Sequence, residues 1–435
     1  MLKLKLIYPE WGHFPLLYRR FIPVLGPASI AALTPSEWEI EFVDERIEEL
    51  KIKKDADLIG ISVMTPQAQR AYEISDKYRV VGVPVILGGV HISLSPEDAL
   101  AHADAVVIGE AETVWPELLN DFKKRQLKKV YKCNHPVVDI PLPKWDVICN
   151  GKGYLPMNSI QISRGCPVNC DICSVPQNFG TEFRMRDIDS LMKEVELMDR
   201  YVFVVNDNLH LSKRRSMEFL KRFKEYSKEW VGLAPLKIGG DQDFLNLLKD
   251  SLCWAMYIDL SPWLSAGLND IIDGVQVKKA GDYISKIREY GIKIIASFIF
   301  GFDHDEKDIF EKTVSFARQH EIEEAEFHIL TPYPMSRLYE RLKAQGRLIT
   351  DRFSDYTTAK VVFIPAKMTP DELYEGYITA WKEFYRDEYE DTPDGPLVRT
   401  FRCFPLKERD IINYNGRRWI ESVVKKEKLN KCTEN

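Results

Sequence analysis

The chain has 435 residues, 45% of them hydrophobic and 29% charged, with a net charge of −6 at pH 7. That length exceeds what one hydrophobic core usually supports, so two domains are expected, and the composition excludes disordered and collagen-like classes. The 60 basic and 66 acidic residues are too evenly matched for a protein dominated by phosphate-backbone binding, and no nucleic-acid partner is expected.

No stretch reaches the ~18 consecutive apolar residues of a membrane helix. "MLKLKLIYPE" has neither the apolar core nor the cleavage site of a signal peptide, so the chain reads as cytoplasmic. Its eight cysteines should then stay reduced, which turns attention to any that cluster. Cys133, Cys149, Cys253, Cys403 and Cys432 are scattered, whereas Cys166, Cys170 and Cys173 are not.

In chain order, "LKLKLIYP" (2–9), "WEIEFVDE" (38–45), "DLIGISVM" (57–64), "VPVILGG" (83–89) and "DAVVIGE" (104–110) have strand length and β-branched content, with helical segments between them. Five such strands imply a doubly wound, Rossmann-like parallel sheet over residues 1–125, with its ligand beyond the carboxyl ends of the strands. Pro9, Thr65, Gly88, Gly89, His91, Gly109 and Glu110 fall there. Each alone reads first as a turn requirement; together they mark a crevice, where glycine lets backbone approach a ligand. Residues 126–155, rich in proline and glycine and without periodicity, read as a linker.

A second series follows over residues 156–347. Its strand candidates are 158–163, 201–206, 232–240, 254–261, 292–301 and 324–331, separated by helical segments. Six strand–helix units fit a partial (β/α)6 barrel of the TIM type, whose chemistry sits at the strands' carboxyl ends. The three cysteines lie directly after the first of these strands. Residues 348–435 read as a C-terminal helical extension capping the barrel. Thr369 and Pro370 open a helix carrying Leu373, Tyr377, Trp381 and Phe384 at helical spacing, a packing stripe rather than a substrate surface. From Arg399 to Lys431 there are ten Lys and Arg against four Asp and Glu, a solvated helical face or a contact for an acidic partner.

Cys166-x-x-x-Cys170-x-x-Cys173 cannot place all three thiols on one helical face, but a loop can wrap them around a metal. A structural zinc site needs four ligands, usually from paired knuckles; no second C-x-x-C occurs, and a distant group such as His210 would have to complete the set. An iron–sulfur cubane held by three thiolates instead leaves one iron open to a small molecule. Gly165 and Pro167 flank the first cysteine as a tight turn requires.

"ISRGCPVNCDIC" resembles the signature of the radical S-adenosylmethionine (SAM) superfamily. Ile172 stands where an aromatic residue often precedes the last cysteine. "FRMRDIDSLMKEVE", "VNDN", "ASFIFGFDHDE", "HILTPYP" and "MTPDELYEGYITAWKEFY" resemble the subgroup with a cobalamin-binding domain in front, as do "GGVHISLSPEDAL" and "ADAVVIGEAE" in the N-terminal half. The resemblance covers roughly residues 1–390. It departs in lacking D-x-H-x-x-G, the source of a histidine below cobalt; "MTPQAQ" (64–69) stands there, which implies a base-off cofactor with Met64, Thr65 or Gln67 near its lower face. Asn206 replaces a frequent aspartate, and "PYPMS" the usual "PYPGT".

The resemblance implies a [4Fe–4S] cluster on Cys166, Cys170 and Cys173, with SAM chelated at the open iron and cleaved by one electron to methionine and a 5′-deoxyadenosyl radical. Methylcobalamin would then give its methyl group to a substrate carbon radical and be remethylated by a second SAM. It implies catalytic roles for Asn206, Asp207 and Tyr333. SAM contacts are expected from Asn208, Gly239, Gly240, Ser261 and Gly301, and cobalamin contacts from Pro9, Met64, Thr65, Gln67, Gly88, Gly89, His91, Gly109 and Glu110. Thr331 and Pro332 end the sixth strand beside Tyr333, while Arg184 and Arg186 are either partners of a ligand carboxylate or salt bridges. An anaerobic cobalamin-dependent methyltransferase acting on an sp3 carbon follows, fed by a low-potential donor such as ferredoxin or flavodoxin. A protein or peptide side chain, as in methyl-coenzyme M reductase, is one candidate substrate. A non-methylating cyclisation or rearrangement and a non-catalytic cobalamin or iron–sulfur sensor are the alternatives. A methylthiotransferase would need a second cysteine triplet ahead of the first, and residues 1–165 hold only Cys133 and Cys149.

Overall fold

The computed structural model describes residues 1–10, 22–134, 136–137, 140–154, 157–168, 170–206, 208–265, 271–272, 275–392, 395–398 and 403. The basic stretch 399–431, apart from Cys403, and the candidate Asp207 lie outside them.

Six parallel strands form the first sheet: β1 (Leu2–Tyr8), β2 (Trp38–Asp44), β3 (Leu58–Ser62), β4 (Val85–Gly88), β5 (Ala105–Ile108) and β6 (Val130–Lys132), in the order β2-β1-β3-β4-β5-β6. Both faces are covered, as a parallel sheet requires. On one, Trp38, Phe42 and Leu4 pack with Ala28 and Ala31 of α1 (Leu25–Leu33) and with Trp115 and Leu118 of α3 (Trp115–Lys123). On the other, Ile59, Ile61 and Val85 pack with Tyr72, Ile74 and Tyr78 of α2 (Ala68–Val80). Strand β6 lies in the segment read as a linker. It is three residues long with only Tyr131 buried, too short to show alternation. The order reverses between β1 and β3, the kind of switch point beside which ligands bind in doubly wound sheets.

The second sheet takes its strands in chain order: β7 (Met157–Gln161), β8 (Tyr201–Val205), β9 (Glu229–Leu233), β10 (Cys253–Asp259), β11 (Lys293–Phe300) and β12 (Glu324–Ile329), all parallel. The outward residues Met256, Ile258, Ile294, Ala296, Phe298, Ala325 and Phe327 form one core with the surrounding helices. Strand β9 starts earlier than the sequence suggests and ends before Pro235, after which Leu236–Gly240 turn as a 3-10 helix. Gly239 and Gly240 therefore do not end a strand. A Cβ on Gly239 would sit 2.6 Å from Cβ of Tyr283 in α4 (Ala280–Glu289), so these glycines permit close helix packing.

The C-terminal helix α6 (Pro370–Tyr385) starts with a reciprocal cap, Thr369 Oγ1 accepting from Glu372 N–H at 3.2 Å and Glu372 Oε2 from Thr369 N–H at 2.9 Å. Its Leu373, Tyr377, Trp381 and Phe384 are buried in the barrel core, Trp381 lying edge-on to Phe327 at 5.5 Å. The stripe packs, as its spacing suggests.

Candidate active site

Beyond β7 the chain makes a two-residue antiparallel ladder, Ser163 opposite Met185 and Arg164 opposite Arg184, and turns into the cysteine loop at Gly165. Gly165 has φ +81°, and a Cβ there would overlap the Glu182 carbonyl oxygen, so only glycine makes this turn. The loop is then closed by hydrogen bonds: Cys166 N–H donates to Gly180 O at 3.2 Å and Cys173 N–H to Cys170 O at 3.3 Å. Asp171, inside it, accepts from Arg337 (2.7 Å) and Arg341 (3.0 Å) of α5 (Arg337–Ala344), and its carbonyl from Leu338 N–H. Cys170 is exposed and Cys166 and Cys173 half-buried. Val175 N–H donates to Cys173 Sγ at 3.4 Å, a contact that favours a thiolate.

Three soft donors on a pinned loop with one amide aimed at sulfur fit an iron–sulfur cluster. Among the described residues no three His, Cys, Asp or Glu side chains are already gathered as a metal-ligand set. The fit therefore rests on the order of the donors, the turn and the amide.

A largely apolar cavity of about 380 Å³ lies at the switch point, between the carboxyl ends of the first sheet, α1 and the start of the barrel. Glycines set its shape. At Gly26 a Cβ would meet only Ser62 Oγ, at 3.6 Å; at Gly89, φ +105°, it would press to 2.7 Å from Val63 N. Gly60, Gly88 and Gly109 also face it, with Tyr8, Met64 and Trp115. Its far wall is barrel: Gln161 and Val205 at the ends of β7 and β8, and Arg164, Asn178 and Phe179 around the cysteine loop. A cradle that side chains would fill, of ligand-site volume and apolar wall, fits the buried part of a corrinoid.

The structure separates the crevice residues. Met64, Gly88, Gly89, Gly109 and Glu110 line the cavity; Pro9, Thr65, Gln67 and His91 do not. Gln67 is fully buried, its Oε1 accepting from Met64 N–H (2.7 Å) and its Nε2 donating to Pro9 O (2.5 Å), so both ends of its amide brace the turn after β3. His91 points away into the sheet's other core, 3.2 Å from Tyr72 OH through Nε2 and edge-on to Phe353. Gln67 and His91 thus make their contacts within the front domain, and Pro9 and Thr65 are buried outside the cavity lining.

Burial lowers the His91 pKa to about 4. The depressed value means that the unfolded chain binds the extra proton first, so stability is full above pH 6.5 and falls as pH drops towards 4. At pH 5 the cost is about 2 kcal/mol. In pH-dependent urea unfolding, His91→Gln is expected to flatten this slope between pH 6.5 and 5; an unchanged slope would contradict the assignment.

In the barrel, Asn206 is tied to backbone: with its amide oriented to satisfy both ends, its oxygen accepts from Asn208 N–H (3.1 Å) and Leu209 N–H (2.6 Å) and its nitrogen donates to Val204 O. It braces the loop after β8. Asn208 Oδ1 accepts from His210 N–H. Ser261 donates to Asp259 Oδ1 (2.6 Å) and accepts from Ile299 N–H (2.7 Å). Gly301 N–H donates to Asp305 Oδ2 at 2.8 Å. The Tyr333 ring is half-buried, and its carbonyl caps Ser336. Arg184 and Arg186 are buried in ion pairs with Glu110 and Glu194, both at 2.8 Å.

The inward face of β10–β12 carries a polar row that the sequence reading passed over. Asp259, Ser297 and Glu326 stand side by side in register. Tyr257 OH donates to Glu326 Oε2 at 2.5 Å, and His328 Nε2 lies 3.5 Å from the same oxygen. Solvent reaches Asp259 although protein atoms surround it, as at the wall of an internal lumen; burial pushes its carboxyl up, against the Ser261 hydroxyl and amide. Below, Val231, Ala255, Ile295 and Cys403 form an apolar floor. The signal was present in "EAEFHIL", where Glu324, Glu326 and His328 alternate in an otherwise apolar strand.

The B12 binding domain family matches residues 23–119, and a domain of unknown function, DUF4070, matches 336–404. The chain is 29% identical over 376 residues to bacteriochlorophyllide d C-12(1)-methyltransferase of Chlorobaculum tepidum, covering 82% of this chain and 81% of that one. It is 26% identical to hopanoid C-2 methylase of Rhodopseudomonas palustris, over 87% and 73% of the two chains. In fold it is similar to the radical SAM methyltransferase TsrM of Kitasatospora setae, solved with tryptophan substrate and a SAM analogue, at TM-score 0.63 and 16% identity over 88% and 89%. A B12-binding sheet joined to a barrel with a three-cysteine loop is the arrangement of cobalamin-binding radical SAM enzymes, and the chain is similar to them in sequence and fold. Both relatives are named for methyl transfer, one a methyltransferase and the other a methylase. No helix among the described residues is long and apolar enough to cross a membrane.

Proposed function

We propose that the chain moves a methyl group from SAM, by way of cobalamin, to an unactivated sp3 carbon of a bulky, ring-bearing small molecule. The reaction would take place in the cytoplasm, with electrons from a low-potential donor such as ferredoxin or flavodoxin. The observation that carries this reading is the shared wall: the cavity at the switch point is completed by Gln161, Arg164 and Phe179, so the front domain's ligand site opens on the cysteine loop. When bound, the cluster supplies the electron that opens the sulfonium and the corrinoid supplies the methyl group.

The protein's own residues position and shield. Cys166, Cys170 and Cys173 would hold the cluster, with the Val175 amide steadying one thiolate. The apolar cavity wall would exclude water from reactive species. Asn208, Gly301 and Tyr333 are the proposed barrel contacts, with Asn206 and Ser261 acting through the loops they brace. Glu326, 4% exposed and with Oε2 occupied by Tyr257, offers Oε1 to a hydrogen-bond donor in the lumen.

The target class is supported by the names of the two methylating relatives, a bacteriochlorophyllide enzyme and a hopanoid enzyme. A protein side chain such as that of methyl-coenzyme M reductase has no counterpart in those names. The test is to incubate the reconstituted enzyme with CD3-labelled SAM and an anaerobic extract of its source cells. Label in the solvent-extractable small molecules is the expected result; label confined to protein would overturn the assignment of target class.

A further inference from the structure

The two arginines paired across the short ladder converge on one carboxylate of the front domain. Arg164 Nη1 lies 2.7 Å from Glu110 Oε2 and its Nη2 2.6 Å from Glu112 Oε1. Arg184 Nη2 lies 2.8 Å from Glu110 Oε1, with Nη1 3.2 Å from Oε2. Glu110, Arg164 and Arg184 are each at most 8% exposed. Two cations against two anions leave the cluster neutral, which is how buried charges are tolerated.

Its place in the chain is what gives it meaning. Arg164 stands two residues before Cys166. Arg184 donates also to Phe179 O (2.7 Å), at the far end of the cysteine loop, and to Val137 O in the connector. One guanidinium thus touches the front domain, the connector and the loop. Glu112 and Arg164 line the cavity as well. An apolar contact of the same area would hold the domains together but leave them free to slide. Bidentate ion pairs have directional geometry and fix a register.

We propose that Glu110, Glu112, Arg164 and Arg184 form a latch that fixes the front domain on the cysteine loop, and that Arg184 is the positioning residue that couples SAM cleavage to methyl transfer. The coupling rests on the function proposed above; the latch itself does not. With Arg184 replaced, SAM is still opened at the loop, but the front domain no longer keeps one distance from it, and cleavage runs on without transfer.

The test uses the full-length protein and the variants Arg184→Met and Arg184→Lys. Two quantities are read: protease cleavage within the connector, residues 133–156, before any cofactor is added, and the ratio of S-adenosylhomocysteine to 5′-deoxyadenosine after reconstitution. Arg184→Met is expected to speed connector cleavage ~10-fold or more and to lower the ratio by up to ~100-fold, the scale of a one-ångström misplacement. Arg184→Lys, which keeps the charge but not the fork, should fall between. If Arg184→Met does not fold, Glu112→Gln removes the outer pair alone and should lower the ratio in the same direction. A connector as protected as in wild type overturns the latch. A ratio unchanged while both products fall together overturns the coupling. Wild type that makes no S-adenosylhomocysteine overturns the function instead, and the protease result still decides the latch.

Discussion

Cys170→Ala is expected to abolish the iron–sulfur absorbance of the anaerobically reconstituted protein and to cut 5′-deoxyadenosine formation by more than ~100-fold, since losing even an outer-shell partner of a metal site costs 10- to 100-fold. Cys170 is the most exposed thiol of the triplet, and its carbonyl anchors the last turn of the loop through Cys173 N–H. Alanine keeps that backbone bond, so a loss must come from sulfur rather than from unfolding. Cys149 is the control. Burial pushes its thiol up to about 11, so it is protonated at neutral pH and a poor ligand. Cys149→Ala should retain full iron content. Iron bound equally well by Cys170→Ala would remove the cluster from this loop.

Gly26→Leu is expected to weaken hydroxocobalamin binding ~10- to 100-fold while leaving the thermal midpoint nearly unchanged. Gly26 is the second residue of α1 and faces the cavity, and a Cβ there meets only Ser62 Oγ, at ordinary contact distance. Leucine improves helix propensity by about 1 kcal/mol and projects into the space proposed for the corrinoid. Overfilling a packed site costs about 1–3 kcal/mol, which at 1.4 kcal/mol per decade gives the stated range. Gly89→Ala makes the contrast. At φ +105° and 2.7 Å from Val63 N it should destabilise the fold itself. Unaltered cobalamin affinity in a folded Gly26→Leu protein would place the cofactor elsewhere.

What the sequence made legible was local. The cysteine spacing, the leading strand and the glycine that only a left-handed turn requires all lie within a few residues of one another. The strands of both sheets except β6 announced themselves as β-branched runs, and the start of α6 as Thr369 followed by Pro370. What escaped was decided by tertiary contact. Gly239 and Gly240 look like a strand's end, but pack against Tyr283. His91 and Gln67 sit in the right stretch, but their side chains are bonded to Tyr72 and to the Met64 and Pro9 backbone. The latch joins Glu110 to Arg164 and Arg184 across 54 and 74 residues, a distance over which no periodicity reports. Gly26 and Gly60 lie inside apolar runs, where a glycine alone does not say whether a helix or a ligand approaches.

The central claim is that one chain couples reductive opening of SAM to methyl transfer through a second cofactor. The most direct measurement is the product balance of wild type, reconstituted with iron, sulfide and cobalamin and supplied with SAM, a low-potential reductant and the small-molecule extract. The account predicts 5′-deoxyadenosine and S-adenosylhomocysteine together, the S-adenosylhomocysteine dependent on added cobalamin. Deoxyadenosine alone, with cobalamin shown to be bound, would contradict it and leave a non-methylating rearrangement in its place.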